Sequence, residues 1–107
     1  MTDIQISPAE LKQKLDAGAQ VLVVDCREPW EHQICSIDGA KLVPMNTIPA
    51  NLQTLEGADE VVIYCHHGAR SLNVAAWLRQ QGIEGARSLT GGIDQWATEI
   101  DPKVAHY

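Results

Sequence analysis

The apolar run Val61-Val62-Ile63-Tyr64 passes without a break into Cys65-His66-His67-Gly68-Ala69-Arg70-Ser71, and a longer mixed run, Leu72 to Gln81, follows. The first segment reads as a buried strand and the last as a helix. So short a connection forces a tight turn whose backbone N–H groups aim at its own centre, where the positive end of the helix dipole also points. Anions collect in such a turn. The remaining chain has to hold this strand–loop–helix unit in place.

A cysteine at the mouth of an anion-binding turn is stabilised as thiolate, because helix N-termini and nearby Arg side chains lower a thiol pKa from about 8.5 into the range of roughly 3.5–7.5. Many strand-end cysteines are inert small hydrophobes. Gly68, Arg70 and Ser71 behind Cys65 favour the reactive reading, with Cys65 as nucleophile and Arg70 as its cationic partner. The spacing is Cys-x4-Arg. Protein tyrosine phosphatases use a similar cradle with one more residue, which accommodates a phosphate group. A ring one residue shorter suits a smaller cargo, such as a single sulfur atom carried as a persulfide. The loop resembles the active-site loop of the rhodanese family of sulfurtransferases.

The chain of 107 residues has room for one domain, spanning residues 1–107. It contains no Phe, so the core is mainly aliphatic. A net charge of −6 and scattered basic residues argue against a nucleic-acid surface. No segment is apolar for long enough to span a membrane, and Met1-Thr2-Asp3 lacks the features of a signal peptide, so the expected location is the cytoplasm. Three cysteines, Cys26, Cys35 and Cys65, cannot all pair within one chain, and no Cys-x2-Cys pair suggests zinc.

In chain order, Ile4 and Ile6 alternate around Gln5 as a short first strand, and Ser7-Pro8-Ala9-Glu10 has the form of a capping box that starts a helix with Leu11 and Leu15 on one face. Gly18 ends it. Val21 to Val24 is a buried strand, and Pro29 starts a second helix. Asp25 and Arg27 between them read as loop-tying ions rather than ligand contacts. Leu42-Val43-Pro44 suits an edge strand. Ile48 to Leu55, with Pro49 at its start, is expected to be a helix, and Gly57-Ala58-Asp59 a turn. The helix from Leu72 to Gln81 is expected to direct Leu72, Ala75, Ala76 and Leu78 to the sheet, with Trp77 as core packing and Gly82 as the stop. Ala86 to Leu89 gives the last strand and Ile93 to Thr98 a closing helix with Trp96 inward.

Two further stretches extend the resemblance to rhodaneses. Asp25-Cys26-Arg27-Glu28-Pro29-Trp30-Glu31 is similar to the family's Asp-x-Arg-Glu-Pro-x-Glu signature, and Leu89, Gly91, Gly92, Ile93 and Trp96 fit its Leu-x-Gly-Gly-Ile-x-x-Trp pattern. Cys35-Ser36-Ile37-Asp38-Gly39-Ala40 departs from the usual Gly-His-Ile-Pro-Gly-Ala. A Cys in place of that Gly implies either a turn that needs no positive φ or one under strain. Nothing in its position suggests that Cys35 meets Cys65. Alternating strands and helices imply a mainly parallel sheet covered on both faces. The resemblance, which runs from Ile4 to Trp96, implies a rhodanese-like α/β three-layer sandwich with five central strands.

The resemblance also implies a mechanism in which Cys65 takes a sulfane sulfur from a small anionic donor such as thiosulfate, becomes a persulfide, and passes the sulfur to cyanide or a protein thiol. Arg70 and the loop residues His66, His67, Gly68, Ala69 and Ser71 would bind the donor. No metal or organic cofactor is expected. His66 and His67 shape the rim; a metal role is disfavoured because neighbours in a tight loop point apart and no third ligand is evident. Ser71 is expected to be the helix N-cap, with donation to the cysteine sulfur as the second reading. Three other functions compete: a small cysteine phosphatase, a non-catalytic binding module, and sulfur delivery to a carrier protein. The third follows from the tail Trp96 to Tyr107, which looks like rhodanese domains fused to sulfur-carrier-activating enzymes. A monomer is the default expectation.

Overall fold

Strands Gln5–Ile6 (β1), Val21–Asp25 (β2), Lys41–Leu42 (β3), Glu60–Tyr64 (β4) and Ala86–Leu89 (β5) pair in parallel throughout, in the order β1-β5-β4-β2-β3. This computed structural model describes residues 3–107. Met1 and Thr2, which open the stretch read as lacking a signal peptide, lie outside the described residues. Among the described residues five α-helices complete the architecture: Pro8–Asp16 (α1), Pro29–Ile34 (α2), Leu52–Glu56 (α3), Ala69–Gln80 (α4) and Gly92–Glu99 (α5).

Parallel strands are covered on both faces, and their sequences are correspondingly apolar at successive positions. In β4, Val61 and Ile63 join a core with Val74, Ala75 and Leu78 of α4 and Leu55 of α3. Val62 and Tyr64 point to the other face, into a core with Leu11 of α1 and Ile93, Trp96 and Ala97 of α5. The sheet is therefore the middle of three layers. Strand β4 lies between β5 and β2, and all its residues from Val61 to Tyr64 are fully buried.

Several expectations need correction. Ser7 caps α1 by accepting from the Glu10 amide at 3.1 Å, but Glu10 does not close the reciprocal box; its carboxylate takes Arg87 Nη1 at 3.0 Å. The expected helix from Ile48 to Leu55 is broken into 3-10 turns at Met45–Thr47 and Pro49–Asn51, followed by the short α3. Asn51, at φ −112° and ψ 14°, leaves helical geometry between the second of these turns and α3. Strand β3 does lie at the edge, yet it consists of Lys41–Leu42 and ends before Val43. On α4, Ala76 is exposed and Val74 takes the buried position, because the face that meets the sheet carries Ser71, Val74, Ala75 and Leu78 at i, i+3, i+4 and i+7. Trp77 is only partly buried, packed against the rim of the core. Cys35 sits at φ −161°, extended backbone open to any residue, so the replaced glycine carries no strain.

The chain leaves β2 through α2 towards the edge strand β3, and leaves β4 through α4 towards β5 on the opposite side. The carboxyl ends of β2 and β4 thus form a topological switch point, where open α/β sheets place their ligand crevices. Cys26 and Cys65 are the residues immediately beyond those two ends. Among the described residues no helix is long and apolar enough to cross a membrane.

Candidate active site

The turn from Cys65 to Arg70 closes because Gly68 adopts φ 109°, a left-handed conformation that glycine reaches without penalty. Gly68, not Ser71, occupies the N-cap of α4. Ser71 lies inside the first turn, where its amide points at the cysteine instead of needing a cap. The Gly68 amide donates to Cys65 Sγ at 3.1 Å and the Ser71 amide at 3.3 Å, and Ser71 Oγ lies 3.5 Å from the same sulfur. Ser71 Oγ is itself anchored by the Gly68 carbonyl at 3.2 Å and Ser88 Oγ at 2.7 Å. Of the two readings of Ser71, contact with the sulfur stands and the cap does not.

The loop is clamped from its far side by α5. Ile93 N donates to the Cys65 carbonyl at 2.9 Å and Asp94 N to that of His66 at 3.1 Å. Such close docking requires Gly92: a Cβ there would stand 2.5 Å from both carbonyl oxygens.

The Cys65 thiol is held well below the ordinary thiol range. The hydrogen bond from the Cys26 thiol acts most strongly, opposed by burial and reinforced by the Ser71 hydroxyl and the Ser71 and Gly68 amides. Cys26 is pushed up by its hydrogen bond to Cys65, by burial and by the nearby Asp25 carboxylate. The two thiols therefore divide one charge, and it resides on Cys65, which receives the amides at the helix N-terminus, while Cys26 lies within the field of the Asp25 carboxylate. Cys35 belongs to the core on the opposite face of the sheet, apart from this pair.

Arg70 does not stand open to the loop. Its Nη1 and Nη2 donate to Glu31 Oε1 and Oε2 at 2.8 and 2.9 Å, a two-pronged pairing with a carboxylate from α2. Glu31 is buried while the Arg70 side chain is 36% exposed, so the cation lies at the surface of the site and its partner beneath it. Glu31 Oε2 also accepts from the Tyr107 hydroxyl at 2.7 Å, and its carboxyl is held down at about 2, chiefly by Arg70 against the effect of burial. Tyr107 in turn accepts from Arg27 Nη1 at 2.7 Å. Arg27 is fully buried and fixed by Asp25 through bonds of 2.8 and 2.7 Å. The reading of Asp25 and Arg27 as loop-tying ions holds, and they extend a chain of contacts through Tyr107 and Glu31 to Arg70.

The last residues, read as an extension, are tied to this network. Val104 is buried, and the Tyr107 ring stacks on His66 with centroids 3.9 Å apart. His66 stacks in turn on His67 at 3.9 Å, so these neighbours present their rings side by side rather than pointing apart. Asp94 of α5 brings a third donor: ligand atoms of His66, His67 and Asp94 lie within 4.8 Å of one another. Asp94 is already paired with His106 Nδ1 at 2.8 Å, and an ion there would compete with that contact. Burial and neighbouring His67 hold the His66 ring towards its neutral form.

Sequence reasoning brought out Cys65, Arg70 and the loop. It missed Cys26, Glu31 and Tyr107 as parts of the site. The matching apolar runs Val21 to Val24 and Val61 to Tyr64, each followed closely by a cysteine, are a usable signal for Cys26, whereas nothing local marks Tyr107.

A family model of the rhodanese-like domain matches residues 7–99. The chain belongs to the rhodanese-like domain family. It is 40% identical over 101 residues to a sulfurtransferase of Allochromatium vinosum, covering 94% of each protein. It is 36% identical over 104 residues to the probable adenylyltransferase/sulfurtransferase MoeZ of Mycobacterium tuberculosis, covering 95% of this chain but only 26% of that longer protein. Among solved structures, the human single-domain sulfurtransferase TSTD1 superposes with a TM-score of 0.81 at 27% identity, over 92% of this chain and 98% of that one. These rhodanese relatives support sulfur transfer as the general activity.

Proposed function

We propose that this rhodanese-like domain moves a sulfane sulfur through a persulfide on Cys65. The observation that carries this reading is the Cys65 sulfur, fully buried and receiving the Gly68 and Ser71 amides at the N-terminus of α4. A thiolate there is ionised at neutral pH, whereas a thiol near its ordinary pKa is ionised to only a few per cent. A lowering of two units corresponds to about 2.7 kcal/mol of differential stabilisation, within what three hydrogen bonds and a helix terminus provide.

In the first half-reaction Cys65 Sγ attacks the outer sulfur of thiosulfate or of a persulfide donor. The S–S bond of the donor breaks and sulfite, or the donor's thiolate, leaves with the bonding pair. The Gly68 and Ser71 amides already serve Sγ, so the remaining loop amides, those of His66, His67, Ala69 and Arg70, receive the terminal sulfur. Arg70 orients the anionic end of the donor. In the second half-reaction cyanide or a protein thiol attacks that terminal sulfur and restores the Cys65 thiolate, giving ping-pong kinetics. Resemblance to part of YrkF of Bacillus subtilis, a putative sulfur carrier protein, supports a protein acceptor in a sulfur-carrier system as the second reading of the same chemistry.

The test is the intact mass of the reduced protein before and after thiosulfate, with Cys65→Ser beside it and cyanide added last. Gain of one sulfur atom, absent in Cys65→Ser and stripped by cyanide, is the expected result. No gain from thiosulfate or from a persulfide donor refutes the reading.

A further inference from the structure

The register of the central strands brings a second thiol to the reacting sulfur. Asp25 of β2 pairs with Tyr64 of β4, and the Cys26 amide donates to the Tyr64 carbonyl at 3.1 Å, so the ladder continues one step past both strand ends. Val24 and Cys26 on one strand, and Ile63 and Cys65 on the other, face the same core. Parallel neighbours lie about 4.8 Å apart, inside the Cα separation of roughly 4.4–6.8 Å that a disulfide spans. The two thiols interact closely enough to perturb each other's titration, both are buried, and neither is oxidised in this structure. Sulfur transfer through Cys65 leaves Cys26 without a chemical role of its own.

We propose that Cys26 is a resolving thiol: when no acceptor arrives, it attacks the sulfur of Cys65 in the persulfide and releases the carried sulfur as hydrosulfide. This rests on the persulfide reading of Cys65. The bond that forms joins Cys26 Sγ to Cys65 Sγ, and the bond that breaks joins Cys65 Sγ to the outer sulfur. The outer sulfur leaves with the bonding pair and takes the proton of Cys26. Cys26 is oxidised from thiol to disulfide level as the outer sulfur is reduced from persulfide to sulfide level, so no external oxidant enters. A dithiol reductant then restores both cysteines by thiol–disulfide exchange.

The proton that Cys26 holds limits this outlet. Cys26 holds its proton while Cys65 is a thiolate, and it becomes a nucleophile only by passing that proton to the persulfide's outer sulfur. The same transfer improves the leaving group. Arrival of an acceptor at the terminal sulfur and attack by Cys26 at the inner one are thus competing fates of one intermediate.

The experiment loads reduced wild type and Cys26→Ser with thiosulfate or a small-molecule persulfide, removes the excess without oxygen, and follows each without an acceptor. Free sulfide is assayed, and intact mass and non-reducing peptide maps are taken after thiol blocking. Wild type is expected to gain one sulfur atom, then lose it as one sulfide per chain while shedding two hydrogens and yielding a linked Cys26–Cys65 peptide. Cys26→Ser, which keeps a hydrogen-bond donor, is expected to retain its sulfur. Wild type that loads and keeps its persulfide, or that forms a disulfide through Cys35 or between chains, overturns the proposal and leaves the carrier reading intact. The wild-type peptide map decides the matter even where Cys26→Ser does not fold. Failure of wild type to load at all overturns both.

Discussion

The hydroxyl of Tyr107 donates to Glu31 Oε2 at 2.7 Å, joining the final residue to the carboxylate that grips Arg70. It also accepts from the buried Arg27, and its ring covers His66. Tyr107→Phe keeps the stacking and removes both hydrogen bonds. Loss of about 1–2 kcal/mol in stability is expected from two buried polar groups deprived of a partner. The looser guanidinium should lower kcat/KM for thiosulfate by about three- to tenfold. Denaturant titration and steady-state kinetics on the one variant measure both effects, and unchanged kinetics would limit Tyr107 to a structural role.

Arg70→Ala separates binding from scaffolding. If Arg70 orients an anionic donor, its removal raises KM for thiosulfate by about tenfold or more, the loss of a charge-assisted hydrogen bond, and affects an uncharged sulfur donor far less. Equal losses for the two donors would mean that Arg70 acts only by securing Glu31 and α2.

Acid should weaken the protein through Glu31. Its folded-state pKa, about 2, lies below the ordinary carboxylate value, so the stabilisation is fully present above the unfolded pKa of about 4.3 and is lost as pH falls towards about 2. A contribution on the order of 3 kcal/mol should disappear across that interval. Stability measured against pH for wild type and Glu31→Gln tests this, since the variant should show a flatter acid limb.

Gly92→Ala should disturb the loop without touching a reacting group. Its φ of 63° disfavours any side chain, and the new Cβ would meet the carbonyl oxygens of Cys65 and His66 at 2.5 Å. Separation of α5 from the loop is expected to cost about 2–4 kcal/mol and to lower kcat more than KM, as the amides around the sulfur lose their alignment. Thermal unfolding and single-turnover sulfur loading read out the two effects.

Elements with strong local signals were legible in the chain. The run before Cys65 is apolar at every position because a central parallel strand is buried on both faces, and Ser7-Pro8 and Pro29 mark helix starts by chemistry that acts within one turn. The Cys-x4-Arg spacing set the size of the turn. Where competing short-range preferences are nearly balanced, as from Met45 to Glu56, the chain instead settles into 3-10 turns and a short helix as Ile48 and Leu55 reach the core.

By itself the sequence determined the order of strands and helices and a thiol at the mouth of an anion-binding turn, because these follow from residues only a few positions apart. Tertiary structure alone decided the thiol's company. Register between β2 and β4 sets Cys26 against Cys65, α2 delivers Glu31 to Arg70, and the chain's end returns Tyr107 to both arginines' network. Such contacts depend on how distant segments pack against one sheet, a property no local pattern of side chains encodes.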